Sequence, residues 1–174
     1  KDSWRKTVAS FVDSLTKKEM VDRAITRDLD WGIDVPLPEA IGKKLYVWFD
    51  APIGYLSNTK QLLKELGSDE DYLEDWWQNK DTEITNFIGK DNIIFHAIIF
   101  PMMCLASGKA NAVNVLPANQ YVNLEGKQFS KSSGWYIDSE KAINEFGSDG
   151  LRYYLTTLIP ETNDSSFTWS GFEA

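Results

Sequence analysis

The apolar positions near the N-terminus repeat with the period of an α-helix. Between Trp4 and Leu15 they fall at spacings of i, i+3, i+4 and i+7, which places them on one face of a helix. The pattern therefore predicts an amphipathic helix that packs against another part of the protein. Residues 31–42, by contrast, contain two glycines and two prolines and predict a surface loop. The apolar helix positions are Val8, Phe11, Val12 and Leu15.

From residue 45 onward, short apolar runs alternate with longer segments of helical pattern. Asp50 and Asp91 stand where each can cap a helix, and Pro52 stands where it fits the first helical turn. The alternation of strand, helix and strand predicts an α/β fold with a parallel sheet and crossover helices. The predicted strands are residues 45–49, 83–88, 113–116 and 120–124, and the predicted helices are 51–66, 71–78 and 92–107.

The composition changes after residue 125. Residues 126–134 are rich in lysine and serine and lie between two glycines, which predicts a mobile loop and a change of module. Two further helices are predicted over 138–146 and 148–158, the second capped by Ser148 or Asp149.

Charge and composition exclude several classes of protein. Eighteen basic and 26 acidic residues give a formal net charge of -8, so no face-wide cationic field is available for DNA. A single cysteine and a single histidine cannot form a disulfide or a Cys/His zinc site, and a reducing cytoplasmic compartment is the default expectation. No apolar run is long enough to cross a membrane. Residues 1–4 contain neither a start methionine nor the apolar core of a signal peptide, so we expect a segment from the middle of a longer protein.

Common signatures of nucleotide-binding and hydrolytic enzymes are missing from the sequence. No two glycines are separated by one residue, which rules out G-x-G-x-x-G, and no Walker A motif can be written. G-x-S-x-G and H-E-x-x-H are absent as well. Dinucleotide enzymes, P-loop NTPases, serine hydrolases and zinc proteases of these types are therefore not supported.

The segment Trp-Phe-Asp-Ala-Pro-Ile-Gly-Tyr at 48–55 has the composition of a small apolar pocket. It follows a predicted strand, at the edge where α/β sheets bind their ligands. Ala51 and Gly54 leave space, while Trp48 and Tyr55 can wall it, which suits an apolar or thioether side chain. The alternative is a strand-to-helix corner packed with aromatic residues.

The segment 89–96 lies at a second strand end. Gly89 allows a planar ligand to approach the backbone, and the Asp91 carboxylate can hold the two hydroxyls of a ribose. Alternatively, Asp91 is a helix cap and His96 a core histidine.

The third candidate is the loop 127–133, with two lysines and three serines in seven residues. Backbone amides, hydroxyls and an ammonium on such a loop can wrap a polyphosphate and stabilise a leaving pyrophosphate. The alternative is a solvated loop. Residues 148–155, including Arg152, are predicted to be structural.

Together these segments resemble the class I aminoacyl-tRNA synthetases, and within them the methionyl-tRNA synthetase family. The resemblance begins near Arg23 and continues to the end of the chain, with the motifs in that family's order and spacing. The 48–55 block is particular to the methionine enzymes, whereas the lysine-serine loop is shared by many class I synthetases. The motifs are residues 23–28, 31–32, 47–55, 87–91, 95–96, Pro101 and 128–132.

The resemblance implies the second half of a Rossmann-like nucleotide-binding fold, followed by a small helical stem-contact module. It divides the chain into a lead-in helix over 1–22, the half-domain over 23–125, and the loop and start of the module over 126–174. The implied activity is the ATP-dependent activation of methionine to methionyl-adenylate and its transfer to tRNA(Met). The substrates are methionine, ATP with Mg²⁺, and that tRNA.

The resemblance also implies roles for individual residues. Lys131 would stabilise the departing pyrophosphate, and no metal site falls in this chain, so any structural zinc would belong to other parts of the parent protein. Trp48 and Phe100 would be aromatic walls that move when methionine binds. The implied methionine-binding residues are Trp48, Ala51, Pro52, Tyr55, His96 and Phe100. The implied ATP-binding residues are Gly89 and Asp91 at the ribose, Val122 near the adenine, and Lys127, Gln128, Phe129, Ser130, Lys131 and Ser132 in the loop.

The sequence departs from the family pattern in two respects. Gln128 replaces the first lysine of the loop signature, with Lys127 one place earlier, and Phe129 replaces its methionine as an apolar plug. The other ATP signature, HIGH, is absent, as are the zinc-binding insert and the anticodon-binding domain. We therefore expect the isolated chain to be poorly stable and inactive. Two alternatives remain: another class I synthetase for an apolar amino acid, or a non-catalytic synthetase-derived binding module.

Overall fold

The computed structural model describes residues 4–18 and 21–174. The first three residues of the predicted lead-in segment, and residues 19–20, lie outside the described residues. The chain divides into two compact units. The first unit contains Lys1–Asn86 with Asp91–Pro117, and the second contains Phe87–Lys90 with Ala118–Ala174. The predicted segment boundaries at 22 and 125 stay predictions.

The first unit begins with helix α1 (Lys6–Thr16), which confirms the amphipathic helix. Val8 and Val12, one turn apart, are buried, whereas Phe11 is 41% exposed. The indole nitrogen of Trp4 donates to the carbonyl of Asn114 over 3.0 Å. The start of the helix is thus attached to a segment more than one hundred residues away in sequence.

A short hairpin follows α1. Strand β1 (Thr26–Arg27) pairs antiparallel with β2 (Lys44–Leu45), Thr26 lying opposite Leu45. The connection between them is largely exposed and contains a 3-10 turn, Pro38–Ala40, as the glycines and prolines predict.

The predicted strand over 45–49 is wrong. Only Leu45 lies in a strand, and helix α2 (Val47–Asp50) starts two residues later. Val47 is 61% exposed, so the run is not a buried strand either. A short apolar run does not by itself distinguish strand from helix, and here Pro52, in the 3-10 turn Ala51–Ile53, continues a helical path.

Helix α3 (Gly54–Leu66) confirms the predicted helix in this region. It ends at Gly67, whose φ of +63° is the left-handed conformation that a glycine adopts without strain. Pro52 occupies the predicted first-turn position. The predicted cap is wrong, because Asp50 ends α2 and its side chain caps no backbone amide.

The next helix is a π-helix, Tyr72–Trp77, capped by Asp71. The Asp71 carboxylate accepts from the amides of Leu73 and Glu74 at 2.8 and 2.9 Å. The buried side chain of Trp77 packs in a core with Phe100 and Cys104.

The predicted helix over 92–107 is present, but it is not a regular α-helix along its whole length. It contains a π-helical segment, Phe95–Ile99, followed by α4 (Phe100–Ser107), which ends at Gly108 with φ of +64°. The predicted cap is wrong: Asp91 lies inside a 3-10 turn, Lys90–Asn92, and Ile94 occupies the N-cap position.

The predicted strands 83–88, 113–116 and 120–124 are shorter than expected and partly shifted. In the first unit, the predicted strands 83–88 and 113–116 are reduced to one parallel bridge, between Thr85 and Val115. In the second unit, β3 (Ile88–Gly89) pairs in parallel with β4 (Ala118–Asn119). There, too, β5 (Val122–Leu124) pairs in parallel with β6 (Ser165–Phe167), a strand absent from the predictions. The parallel pairing and the helices confirm the α/β class.

The second unit continues with helices α5 (Ser139–Phe146) and α6 (Ser148–Thr157), both as predicted. Asp138 caps α5 by accepting from the Lys141 amide at 3.0 Å. The predicted Ser148 or Asp149 cap is wrong, because Gly147 takes the N-cap position of α6. The chain ends with α7 (Trp169–Phe172). The core consists of Leu124, Ala142, Leu151 and Phe167.

None of the helices in the described ranges 4–18 and 21–174 is both long enough and apolar enough to span a membrane.

Candidate active site

The first unit contains a cavity of about 130 Å³ at the junction of α2 and α3. Five of the six residues predicted to bind an apolar side chain line this cavity, so the structure brings them together. Gly54, whose missing side chain leaves space, lines it as well. The lining residues are Trp48, Ala51, Pro52, Gly54, Tyr55, Asn58 and His96.

A hydrogen bond joins two of the polar residues that line this cavity, Tyr55 and His96. The Tyr55 hydroxyl lies 2.8 Å from Nε2 of His96, and Nδ1 of the ring lies 3.0 Å from the Asn92 carbonyl oxygen. Since a carbonyl can only accept, Nδ1 carries the hydrogen. In the neutral ring Nε2 is then an acceptor, and the Tyr55 hydroxyl donates to it. His96 is 4% exposed, whereas Tyr55 is half-buried.

The aromatic neighbour of Trp48 is Phe95, a motif residue of the family resemblance to which the sequence analysis gave no role in the pocket. The two rings stack with centroids 5.4 Å apart and an interplanar angle of 26°. Phe95 in turn contacts Tyr46, and the Arg27 guanidinium lies 4.0 Å from the centroid of the Tyr46 ring. Two sequence signals pointed to Phe95: its adjacency to His96, a predicted pocket residue, and its place in the 95–96 motif.

Phe100 lies deeper in the first unit. It is 2% exposed, and its ring meets Tyr55 edge-on at 6.1 Å and Trp77 at the same distance. It does not line the cavity, so its predicted role as a methionine-binding wall stays a prediction.

Asn58 is the second lining residue that the sequence analysis missed. It lies one helical turn after Tyr55 on α3. An i, i+3 relation to a pocket residue is a signal that the helical pattern already contained.

The two residues predicted at the ribose lie in different units. Gly89 ends β3 in the second unit, and Asp91 belongs to the first unit. Their joint role stays a prediction.

The predicted phosphate loop is organised by two successive turns. Glu125 and Gly126 have φ values of 48° and 78°, and the amides and carbonyls of Leu124 and Lys127 bond to each other at 2.8 and 2.9 Å. This two-residue turn with positive φ at both positions matches the twist of a hairpin. Farther along, Ser130 and Trp135 form a second such bridge, enclosing residues 131–134.

The loop side chains are largely open to solvent. Gln128, Lys131 and Ser132 are exposed, and Ser130 is half-buried with its hydroxyl 3.3 Å from that of Ser132. The ammonium of Lys127 lies 5.6 Å from the centre of the Trp135 ring.

A larger apolar cavity, about 390 Å³, lies next to this loop within the second unit. Val122 and Phe129, both predicted to bind ATP, line it together with side chains of α5 and α6. Phe129 is 42% exposed, so it covers the cavity without filling it.

The remaining reactive group is the thiol of Cys104. It is 3% exposed within the Trp77 and Phe100 core, and burial raises its pKa. No group of three His, Cys, Asp or Glu side chains suited to a metal occurs in the part of the chain that the structure describes.

The geometry of the first unit fits an uncharged, polarizable side chain. The cavity offers aromatic faces, and the hydrogen of its one hydroxyl-imidazole pair is already bonded internally. An exposed loop with two lysines and three serines, in the second unit, supplies donors for an anion.

Sequence comparison gives a family for the whole chain. The family described as "tRNA synthetases class I (M)" matches residues 1–174. The Methionine--tRNA ligase of Protochlamydia amoebophila is 50% identical over 172 residues, covering 98% of this chain and 24% of that protein. The Methionine--tRNA ligase of Flavobacterium johnsoniae is 48% identical over 176 residues, covering 100% of the chain and 24% of the relative. The chain thus spans about a quarter of the length of these curated relatives.

Structural comparison agrees. Mycobacterium tuberculosis methionyl-tRNA synthetase, solved in complex with methionyl-adenylate, matches with a TM-score of 0.75 and 26% identity. The match covers 97% of this chain and 31% of that one. This likeness confirms the predicted α/β, Rossmann-like fold class.

Proposed function

The chain belongs to the class I tRNA synthetases of the methionine type, and from this premise we propose that it is a section of a methionine–tRNA ligase. In that enzyme its first unit binds the methionine side chain, and the loop of its second unit binds the phosphates of ATP. Trp48, Tyr55 and His96 hold the side chain, and Lys131 acts on the leaving pyrophosphate.

The proposed reaction has two steps. An oxygen of the methionine carboxylate attacks the α-phosphorus of Mg-ATP, and the bond from that phosphorus to the bridging oxygen breaks. Pyrophosphate leaves with the electron pair, and methionyl-adenylate remains. A hydroxyl of the terminal ribose of tRNA(Met) then attacks the carbonyl carbon of the adenylate, loses its proton and releases AMP. Most of the rate enhancement comes from positioning and charge stabilisation.

The observation that carries the proposal is the cavity around the Tyr55 and His96 pair. Methionine has an unbranched, polarizable thioether that gains chiefly from contact with aromatic rings and is only a weak acceptor. Trp48 supplies such a ring, held by its stack on Phe95 at 5.4 Å. Side chains that need several strong hydrogen bonds would find Tyr55 and His96 already bonded to each other and only Asn58 left among the polar lining residues, so they would be disfavoured.

The loop of the second unit supports the phosphate role. Lys131 sits in the turn closed by Ser130 and Trp135, exposed and next to the hydroxyls of Ser130 and Ser132. An exposed ammonium on such a turn can follow charge as it shifts onto pyrophosphate. Val122 and Phe129 offer the neighbouring apolar surface for the adenine side of ATP.

The proposal names methionine, Mg-ATP and tRNA(Met) as the substrates, and it places the enzyme in the cytoplasm with its tRNA. Mg²⁺ arrives with ATP. A structural zinc, if the ligase has one, is held by residues outside this chain, because the chain offers one cysteine and one histidine.

The test is amino-acid-dependent exchange of pyrophosphate into ATP, measured on the full-length protein with each of the twenty amino acids. We expect exchange with methionine alone. Exchange with a different apolar amino acid would assign the chain to another class I synthetase and contradict the pocket assignment.

Gln128 is the observation that favours a second candidate, a non-catalytic binding module derived from a synthetase, because it removes one signature lysine. The same assay separates the two. Absence of exchange with all twenty amino acids, in a protein that is folded by circular dichroism, would favour the module.

A further inference from the structure

A single carboxylate joins two segments of the second unit that flank predicted nucleotide-binding residues. Oδ1 of Asp164 accepts a hydrogen bond from Nζ of Lys90 at 2.7 Å and from the backbone amide of Tyr121 at 2.9 Å. Lys90 directly follows Gly89, and Tyr121 directly precedes Val122. Asp164 itself lies just before β6 and was not singled out by the sequence.

Lys90 also contacts Tyr121 directly. Its ammonium lies 4.1 Å from the centre of the Tyr121 ring, within the range of a cation–π interaction. Each of the three residues therefore contacts the other two, and the end of β3 is attached to the start of β5.

Backbone hydrogen bonds also connect residues 160–165 to the segment that precedes Val122. The Ser165 amide donates to the Tyr121 carbonyl at 2.9 Å, and the Gln120 amide donates to the Pro160 carbonyl at 2.7 Å. Gln120 and Tyr121 are thus both hydrogen-bonded to residues 160–165. Of these bonded residues, Asp164 is the one that also bonds the Lys90 side chain.

An exposed ion pair alone would contribute little, because solvent screens it. The side chains of Lys90 and Asp164 are 31% and 40% exposed. The bond from the Tyr121 main chain changes this assessment, since it fixes the carboxylate relative to the backbone. The Lys90 hydrogen bond, followed by that of the Tyr121 amide, lowers the pKa of Asp164, so the carboxylate is charged at neutral pH.

We propose that Asp164 is a positioning residue for ATP: without touching the nucleotide, it sets the spacing between the Gly89 turn and the Val122 strand. The inference rests on the proposed function, in which Gly89 faces the ribose and Val122 the adenine. A nucleoside held at two points requires those points to keep a fixed separation, and small displacements are costly for binding and catalysis.

The test compares Asp164→Ala, Asp164→Asn and Lys90→Met in the full-length ligase. Pyrophosphate exchange gives KM separately for ATP and methionine, calorimetry gives the affinity for Mg-ATP, and thermal unfolding gives Tm. The matched control is Asp34→Ala, which removes another exposed carboxylate paired with a lysine, Lys44, in the first unit.

We expect Asp164→Ala to raise the KM for ATP by about fivefold, the size of one or two net hydrogen bonds, with the KM for methionine unchanged and the Tm lowered only slightly. Asp164→Asn keeps an acceptor for the Tyr121 amide but loses the charge, so its effect should be smaller. The double variant Asp164→Asn, Lys90→Met should be no worse than Lys90→Met alone. The control should change neither KM.

Equal changes in both KM values, or a lower Tm with both KM values unchanged, would overturn the positioning role. A wild-type protein without methionine-dependent exchange would instead contradict the proposed function. In that case the calorimetric affinity for Mg-ATP still decides the inference: weaker binding by Asp164→Ala than by wild type and Asp34→Ala supports it, and equal binding overturns it.

Discussion

The hydroxyl of Tyr55 donates to Nε2 of His96 across 2.8 Å, while the other ring nitrogen is bonded to the Asn92 carbonyl. Because a main-chain carbonyl sets the tautomer of the ring, the hydroxyl hydrogen points at His96 and not into the cavity. The Tyr55 hydroxyl therefore offers its oxygen lone pairs, not its hydrogen, to a ligand in the cavity, where Asn58 is the other polar lining residue besides His96. With so few polar groups, the lining selects chiefly by shape and polarizability.

Tyr55→Phe tests this arrangement in the full-length ligase. Removing the hydroxyl leaves a buried acceptor on His96 unpaired, which costs about 1–3 kcal/mol and disturbs the ring that lines the cavity. We expect kcat/KM for methionine in pyrophosphate exchange to fall about tenfold, with the KM for ATP unchanged. Tyr55→Ala, which also removes the ring, should have the larger effect.

The matched control for this substitution is Tyr72→Phe, a tyrosine of the same unit that does not line the cavity. It should leave both kinetic constants as they are. A parallel loss of methionine and ATP use in Tyr55→Phe would contradict the assignment of the cavity to the methionine side chain.

The different placements of Phe95 and Phe100 lead to a second prediction. Phe95 stacks on Trp48, whereas Phe100 is buried behind Tyr55 against Trp77. Phe95→Leu should therefore raise the KM for methionine with little change in Tm. Phe100→Leu should chiefly lower stability, by about 1–3 kcal/mol, because it replaces a ring in a packed core.

Kinetics and thermal unfolding of both variants in the full-length protein check this. A Phe100→Leu variant with unchanged Tm and a raised KM for methionine would instead place Phe100 functionally in the pocket, as the family resemblance implies.

The sequence predicted the helices far better than the strands. Helix α5, for example, has both a capping aspartate, Asp138, and a clear apolar period. The strands are two or three residues long, and pairing partners such as β6 lie some forty residues away, so no local pattern specifies them. The run over 45–49 was assigned to the wrong class because apolar content alone does not separate strand from helix.

The same limit applies to the candidate site. Residues 48–55 are contiguous, so one block of sequence contains most of the cavity. The pocket role of Phe95, and Asp164 altogether, were missed because their importance comes from contacts with Trp48 and with Tyr121 that only the tertiary structure creates. A phenylalanine and an exposed aspartate have no distinctive signature of their own.

Cys104 supplies a test of whether the first unit folds in the isolated 174-residue chain. Burial raises the pKa of its thiol, so the reactive thiolate is suppressed and access is blocked. If the first unit folds in the isolated chain, alkylation by iodoacetamide at pH 8 is slow in buffer and fast in urea. Because the folded pKa is raised, this thiol favours the folded state below the pKa of an unfolded cysteine, about 8.5, and that contribution is lost as the pH rises above it.

Mass spectrometry of the single cysteine gives the labelling rate, and iodoacetamide on a free cysteine peptide serves as the reference. Labelling at the peptide's rate in buffer would mean that the core around Trp77 is not formed in the isolated chain, as the expected poor stability of the fragment implies.

The lowered pKa of Asp164 can be measured directly. Its main cause is the hydrogen bond from Lys90, and the Tyr121 amide adds to it. The carboxyl should titrate below its ordinary value by NMR, and Lys90→Met should move the midpoint back toward that value. A depressed folded pKa means that the contribution to stability is present above the unfolded pKa, about 3.9, and is lost as the pH falls through the folded one. An unchanged midpoint in Lys90→Met would show that the ion pair does not persist in solution.

Gln128 offers the sharpest test of the loop. Its side chain is exposed, whereas the neighbouring Lys127 ammonium lies 5.6 Å from the centre of the Trp135 ring. Gln128→Lys places a cation at an open position without disturbing the turns, so it should lower the KM for ATP about threefold, and less at high salt. Gln61→Lys is the matched control: the same change of charge on exposed α3, beside Glu65, should leave this KM unchanged.

Lys131→Ala should reduce kcat by about a hundredfold, because it removes charge stabilisation of the leaving group. If Gln128→Lys and wild type show the same KM for ATP at low salt, the loop does not contact the phosphates at this position, and the phosphate role then rests on Lys131 alone.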